Sequence, residues 1–403
     1  MKKTLSIVSM IIAGESIFLL PFVIVRIFRP TILEVFNITN TELGTAFSAY
    51  GFVAMISYFF GGPLADKFKV KYLMFLALTG TSLGGLLFAT IPNFYSLTIL
   101  YAFWGFTTIF LFWSPLIKAT REWGDSNKQG FAFGLLDSGR GLTAAIFASI
   151  IVYFYDLQLN DDVVNSDALK NTIYFASGFT FLSALLIIFF LNLKEYGTVD
   201  KIDLSKFKIL LKKKQIWYQS IIIVCAYCGY KSIDDISLYT NQLMGWNEIE
   251  SAKAATYIFW VRPFAALIIG FFADRVSSSR MLIVSFLIMI ISTLLLGLNI
   301  FQDLIAFFFL LNIVFTGIGI YSLRALYFAV MEESKIPLAL TGTAVGLVSV
   351  IGYTPDIFMG PLMGIILDNN PGAVGHQYFF YLISLFGFVG LVFSWLIYRE
   401  NIK

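Results

Sequence analysis

The chain has 403 residues, of which 58% are hydrophobic and 13% charged, with a formal net charge of +3. Soluble domains carry about 45–50% apolar and about 25% charged residues, so an aqueous globule cannot bury this excess and lipid must cover it. The small net charge leaves no footprint for a nucleic-acid partner, and one histidine with two cysteines gives little support to histidine or metal chemistry.

A helix rises about 1.5 Å per residue, so about 20 apolar residues cross a hydrocarbon core of about 30 Å. In chain order this scale predicts spans near 5–35, 41–64, 72–91, 95–117, 129–155 and 170–192. A second set is predicted near 216–244, 250–272, 281–299, 303–328, 341–367 and 377–398. Met1-Lys2-Lys3 leads straight into a run too long for a signal-peptide core, so no cleaved leader is expected. Most connections are a handful of residues, which makes sequence neighbours antiparallel neighbours. The exception is the polar stretch between the sixth and seventh spans. The organisation is an N-terminal half over 1–193, a linker over 194–215 and a C-terminal half over 216–403. Cys225 and Cys228 are three apart on one face of the seventh span, where packing residues are expected rather than a redox or metal pair. His376 is expected in a short Gly/Pro-containing connection.

Orientation follows the basic residues. Lys2, Lys3, Lys67, Lys69, Lys71, Lys118, Arg121, Arg275, Arg280 and Arg399 fall on one side, joined by the linker lysines. The opposite loops hold little beyond Arg29, Lys170 and Lys253, and carry Asp156, Asp161, Asp162 and Asp167. Both termini and the linker are therefore expected on the cytoplasmic face of the cell membrane.

Two motifs recur at matching points of the halves. Gly62-Pro63-Leu64-Ala65-Asp66-Lys67 follows the second span and Gly270-Phe271-Phe272-Ala273-Asp274-Arg275 follows the eighth. Gly130-Phe131-Ala132-Phe133-Gly134-Leu135 opens the fifth and Gly342-Thr343-Ala344-Val345-Gly346-Leu347 the eleventh. One such match is chance-level, but two in register indicate an internal repeat, and transporters place their site at a repeat interface.

With these motifs the sequence resembles the major facilitator superfamily, whose signature is a glycine, an acid four residues later and then basic residues between the second and third helices. Gly62, Asp66, Lys67, Lys69 and Lys71 match it here, although the later glycine of the signature is missing. The resemblance implies an all-α membrane protein of twelve spans in two six-helix pseudo-repeats. It implies no enzyme, no cofactor, and a secondary transporter that rocks its halves about a central site. Gly62, Asp66, Lys67 and Arg121, with Asp274 and Arg275, would form a conformational latch through helix N-terminal hydrogen bonds and ion pairs. The tract around Asp137 and Arg140 is similar to bacterial facilitators grouped with nitrate and oxalate/formate carriers. The asparagine of the nitrate signature is absent, and Arg262 would match the eighth-helix arginine of the oxalate/formate carriers. Arg26 and Lys231 are approximate matches to the first- and seventh-helix bases of sugar-phosphate exchangers.

Ionisable groups at membrane depth cost at least ~2.5 kcal/mol each on insertion scales, which makes them functional candidates. The bases are Arg26, Arg140, Lys231, Arg262 and Arg324, and the acids Glu15, Asp137, Asp234, Asp235 and Asp356, five against five. Asp137 with Arg140, and Lys231 with Asp234, are three apart and expected to pair. Arg140 lies about 15 Å above Gly130 and Arg262 about 18 Å above Asp274, matching depths on opposite halves, while Arg324 lies about 12 Å from Glu332. Guanidinium is the preferred partner of carboxylate, phosphate or sulfonate because its planar fork donates two parallel hydrogen bonds.

The expected cargo is therefore a small organic anion bound by Arg140, Arg262, Arg324, Arg26, Lys231 and Tyr353. Asp137, Glu15, Asp356 and Asp234 are the carboxylates for proton coupling, with exchange as the other means, in a carrier that acts as a monomer. The rival reading is a carrier of a neutral, zwitterionic or cationic compound whose arginines only staple helices together. A membrane enzyme would need a nucleophile and base or a metal cluster, and no P-loop pattern points to ATP.

Overall fold

The computed structural model describes residues 2–124, 129–160, 163–192, 210–302, 305–333 and 338–402. The expected linker over 194–215 falls mostly outside these residues. Ten of the described helices are long and apolar enough to cross a membrane. The helix Asn40–Lys67 and the interrupted helix that starts at Lys214 complete twelve. Side chains such as Leu83, Ile99, Leu267 and Phe307 stay exposed, the outward face expected where lipid is the solvent.

Interruptions fall on the first and fourth helices of each half, and on the eleventh but not its counterpart, the fifth. The first span runs Lys2–Ser16, loosens into a wider turn over Leu19–Val23, and continues through Ile24–Ile27 and Arg29–Phe36. Pro21 causes the loosening, since it has no N–H for the carbonyl four residues back; the Val23 amide bonds instead to the Phe18 carbonyl at 3.3 Å. The seventh span, the first of its half, runs Lys214–Lys231 and tightens over Ser232–Asp235 before Ile236–Leu243. The fourth span widens over Phe106–Trp113, and the tenth breaks after Leu326. The eleventh breaks between Gly352 and Pro355.

Element lengths repeat as well. The second helix, Asn40–Lys67, and the eighth, Glu248–Arg275, are each 28 residues long. Each opens with a capping box, Thr39 with Glu42 and Asn247 with Glu250, in which side chain and backbone satisfy each other's orphan groups. The third, Val70–Ala89, and the ninth, Ser278–Gly297, are each 20 residues long.

Three local expectations are corrected. His376 is not in a connection: it is fully buried in the first turn of the twelfth helix, Ala373–Ile402, with Nδ1 2.7 Å from Asp235 and Nε2 3.0 Å from Gln242. Arg29 is not a loop residue either; it is buried and donates to Asn40 at 2.8 Å. Lys231 does not pair with Asp234, although the two share a helix face: Lys231 meets Asp356 and Asp234 meets Arg26. Cys225 and Cys228 are buried free thiols.

The halves meet closely at the end away from the termini. Gly44 and Gly51 of the second helix lie against the backbone of Gly360 and Asp356 of the eleventh, and Gly364 against Thr41. Small residues allow such approach, because no side chain stands between the backbones. Asp368 then caps the second helix, accepting from the Asn40 and Thr41 amides at 3.1 and 2.7 Å and from the Thr41 hydroxyl at 2.6 Å. On the other flank the Trp260 indole donates to Ser149 at 3.0 Å, and Glu248 accepts from Tyr155 at 2.9 Å and Asn165 at 2.7 Å.

At the terminus end hydrogen bonds tie helices of the same half. Lys118 donates to the Ala65 carbonyl and Trp123 to the Lys3 carbonyl in the first half. Glu333 caps the ninth helix at Ser278 and Ser279, and Arg280 donates to Tyr398, in the second. A Cβ at Gly134 or Gly346 would meet open space. The halves thus touch backbone to backbone at the end away from the termini.

Candidate functional site

The helix interruptions open a chamber at mid-depth between the halves, with about 820 Å³ of empty space including its mouth. Interrupted helices supply most of its polar wall: Glu15 and Arg26 from the first, Lys231 from the seventh, Arg324 from the tenth and Asp356 from the eleventh. Arg140 and Arg262 come from the unbroken fifth and eighth helices.

Four side chains form a cluster across the two halves. Glu15 lies 3.4 Å from Arg140 and 3.4 Å from Arg262, and Asp137 lies 3.1 Å from Arg262 and 4.0 Å from Arg140. Arg140 also donates to the Gly14 carbonyl at 3.0 Å and rests over Trp113 at 5.3 Å. The matched depth read from the sequence is thus realised, but two carboxylates stand between the arginines. Asp137 is the outward member of the cluster, with its side chain 56% exposed.

Two further pairs hold the seventh helix. Arg26 donates to Asp234 at 2.5 Å, and its Nη1 donates to the Tyr230 hydroxyl at 3.1 Å. Lys231 meets Asp356 at 2.7 Å, and the Tyr227 hydroxyl donates to the same carboxylate at 3.1 Å. The first pair joins the halves; the second joins two helices of one half. Burying such charges is costly unless each is paired and hydrogen-bonded, and these are.

Arg324 differs. Its guanidinium carbon stands 4.0 Å over the Tyr230 ring and 5.8 Å from that of Tyr227, and no described carboxylate lies within 4.0 Å. A ring face compensates only a fraction of a desolvated cation. Asp235, counted as a chamber acid from the sequence, faces away towards His376. Among the described residues five cations therefore meet four carboxylates, and Arg324 is the one of the five without a carboxylate within 4.0 Å.

Tyr353 lines the chamber, 3.2 Å from the Tyr327 hydroxyl and stacked on Tyr58 at 6.0 Å between centroids. Tyr230, which touches both Arg26 and Arg324, was missed by the sequence reading. Its signal is the spacing Tyr227, Tyr230, Lys231, Asp234, one face of a helix. Of the latch, Lys67, Arg121 and Arg275 are exposed at the terminus end. The side chains of Gly62, Asp66 and Asp274 lie outside those described. Among the described residues no three His, Cys, Asp or Glu side chains are grouped to hold a metal.

A family model described as Major Facilitator Superfamily matches residues 5–353. Inner membrane protein YqcE of Escherichia coli (strain K12) is 30% identical, covering 93% of this chain and 90% of the relative. Inner membrane protein YihN of the same strain is 28% identical, covering 98% and 95%. Among solved structures, a bacterial homologue of the human lysosomal transporter Spinster, inward-facing and unoccupied, superposes with a TM-score of 0.74 at 14% identity, covering 100% of this chain and 98% of that one. The nucleoside transporter NupG, as a mutant, gives 0.75 at 13% identity with 100% of both chains covered.

Proposed function

As this chain belongs to the Major Facilitator Superfamily, and is a multi-pass secondary transporter, we propose that its cargo is a small organic anion of carboxylate, phosphate or sulfonate type. The observation that carries this reading is Arg324, a cation on the chamber wall whose nearest partners are tyrosine rings. An acid group there would receive two parallel hydrogen bonds from the guanidinium and complete its charge balance. Arg140 and Arg262, bound to Glu15 and Asp137, hold the halves together at mid-depth; Arg262 reaches the cargo when it exchanges Asp137 for the incoming acid. Arg26, Lys231 and Tyr353 shape the remaining wall.

The end bearing the termini is cytoplasmic, because it carries the lysines and arginines flanking the spans. The parted end then opens inward, in line with the inward-facing state of one structural neighbour. Alternating access follows by rocking of the halves. It is driven by exchange against a second anion or by a proton carried on Asp137, Glu15, Asp234 or Asp356. One observation favours a second reading: the exposed Asp137 carboxylate would suit the ammonium of a zwitterion whose acid end meets Arg324.

Purified protein screened by thermal shift against organic acids, phosphates, sulfonates, amines, amino acids and sugars tests the cargo class, since a ligand raises the apparent stability of the state it binds. Acids are expected to stabilise the wild type. Arg324→Gln should weaken that binding by about 1.5–3 kcal/mol, the worth of a charged hydrogen bond, or about 10–100-fold in affinity. Stabilisation by amines or sugars alone would remove the anion from consideration.

A further inference from the structure

We propose that a phospholipid with a phosphoethanolamine headgroup binds the apolar groove between the eighth and tenth helices, on the side away from the chamber, with its headgroup on Lys253 and Asp156. The proposal is independent of the cargo.

The groove holds about 1340 Å³ of empty space, counting its open side, more than the chamber does. Its rims are rows of exposed apolar side chains, Tyr257, Phe264 and Ile268 on the eighth helix and Phe307, Leu311 and Val314 on the tenth. The Trp260 indole stands on the same wall, with its N–H already given to Ser149 of the fifth helix. Two residues on from Trp260 and Ser322, on the other side of each helix, stand Arg262 and Arg324 of the chamber. Groove and chamber are thus the two faces of one helix pair. From Tyr257 to Ile269 the groove runs about 18 Å, longer than the ~15 Å that one leaflet contributes to a hydrocarbon core. Within a bilayer the occupant of so apolar a surface is an acyl chain.

The charges above the groove decide the headgroup. Lys253, Tyr257, Trp260, Phe264 and Ile268 follow at helical spacing on one face of the eighth helix. Lys253 stands about 14 Å from Arg262 along that helix, towards the end away from the termini, which puts its ammonium at the headgroup boundary. It donates to Asp156 of the fifth helix at 3.4 Å, with side chains 49% and 26% exposed. That is longer than a close charged hydrogen bond. An ammonium has three donors and a carboxylate about four acceptor sites, so both groups keep capacity for a ligand. A phosphate and a primary ammonium joined by an ethylene bridge offer one partner to each, the phosphate to Lys253 and the ammonium to Asp156. A purely anionic headgroup would meet Asp156 with like charge, and a quaternary ammonium has no N–H to donate to it. Because Asp156 and Lys253 belong to different halves, the bound headgroup spans the seam beside the contact of Trp260 with Ser149.

The test places the full chain in phosphatidylcholine vesicles in which a minor fraction of the lipid carries brominated chains, as phosphatidylethanolamine, phosphatidylglycerol or phosphatidylcholine. Bromine quenches indole emission on contact, and the share of Trp260 is the emission lost in Trp260→Phe. Brominated phosphatidylethanolamine should occupy the groove about threefold or more tightly than the other two, the size expected of two solvent-facing charge contacts. Asp156→Asn should bring phosphatidylethanolamine down to the level of phosphatidylcholine. Lys253→Ala should weaken both zwitterionic lipids, while spin labels at Tyr95→Cys and Ile305→Cys, exposed at that end, keep their wild-type distance; the native thiols of Cys225 and Cys228 are buried. Val314→Phe, from an exposed position, should fill the groove and reduce quenching by all three lipids. Equal quenching of Trp260 by the three lipids in the wild type, or a preference for phosphatidylglycerol, overturns the proposal whether or not the variants fold. So does a preference for phosphatidylethanolamine that survives in both Asp156→Asn and Lys253→Ala.

Discussion

The two ends of this molecule are built from the same repeat yet behave differently. At the far end the second and eleventh helices meet backbone to backbone through Gly44, Gly360 and Gly364, and Asp368 ties the start of one to the end of the other. At the terminus end Gly134 and Gly346 face open space, and Lys118 bonds to Ala65 and Arg280 to Tyr398, each within one half. Seal and opening thus differ by contact between halves and not by the stability of either half. Such an arrangement favours a rigid-body change, because each six-helix unit keeps its own bonds while the seam between them is exchanged.

The comparison breaks most completely at the glycine seam. A side chain at Gly44 would fall on the Gly360 carbonyl, and backbone cannot yield as a side-chain tip does. Gly44→Leu is expected to abolish uptake and to hold the far end apart in label distances; wild-type distances would show that the seam is not what seals it. A smaller effect is expected from Asp368→Ala, which strips the cap from the second helix. Loss of a cap costs about 0.5–2 kcal/mol, so the far-end-closed population should fall several-fold while protein levels in the membrane hold. The least is expected from Lys253→Ala. Its bond to Asp156 is a solvent-facing pair at 3.4 Å, and such pairs contribute about 0–1 kcal/mol, so label distances should be unchanged.

What the sequence disclosed follows from which forces act locally. Span number and the repeat were legible because lipid demands about 20 apolar residues per crossing, and because Gly62–Asp66 and Gly270–Asp274 stand at matching points. The chamber's residues were legible for the same reason, as charges in apolar runs announce themselves. Their partners were not. Spacing alone pairs Lys231 with Asp234, but Asp356 of the eleventh helix meets Lys231, and Arg26, over 200 residues away in sequence, meets Asp234. Asp235 looked like a fifth chamber acid until His376 was seen to be buried in a helix beside it. These two errors hid the role of Arg324, because the surplus charge appears once each ion pair has been assigned in space.

The central claim is that Arg324 meets the acid group of the cargo. The direct measurement is an experimental structure of the protein with whichever acid stabilises it most in the thermal-shift panel. The acid group should lie within hydrogen-bond distance of the Arg324 guanidinium, with Glu15 still between Arg140 and Arg262. An acid group seated on Arg140, with Arg324 still resting on Tyr230 and out of reach, would contradict the account.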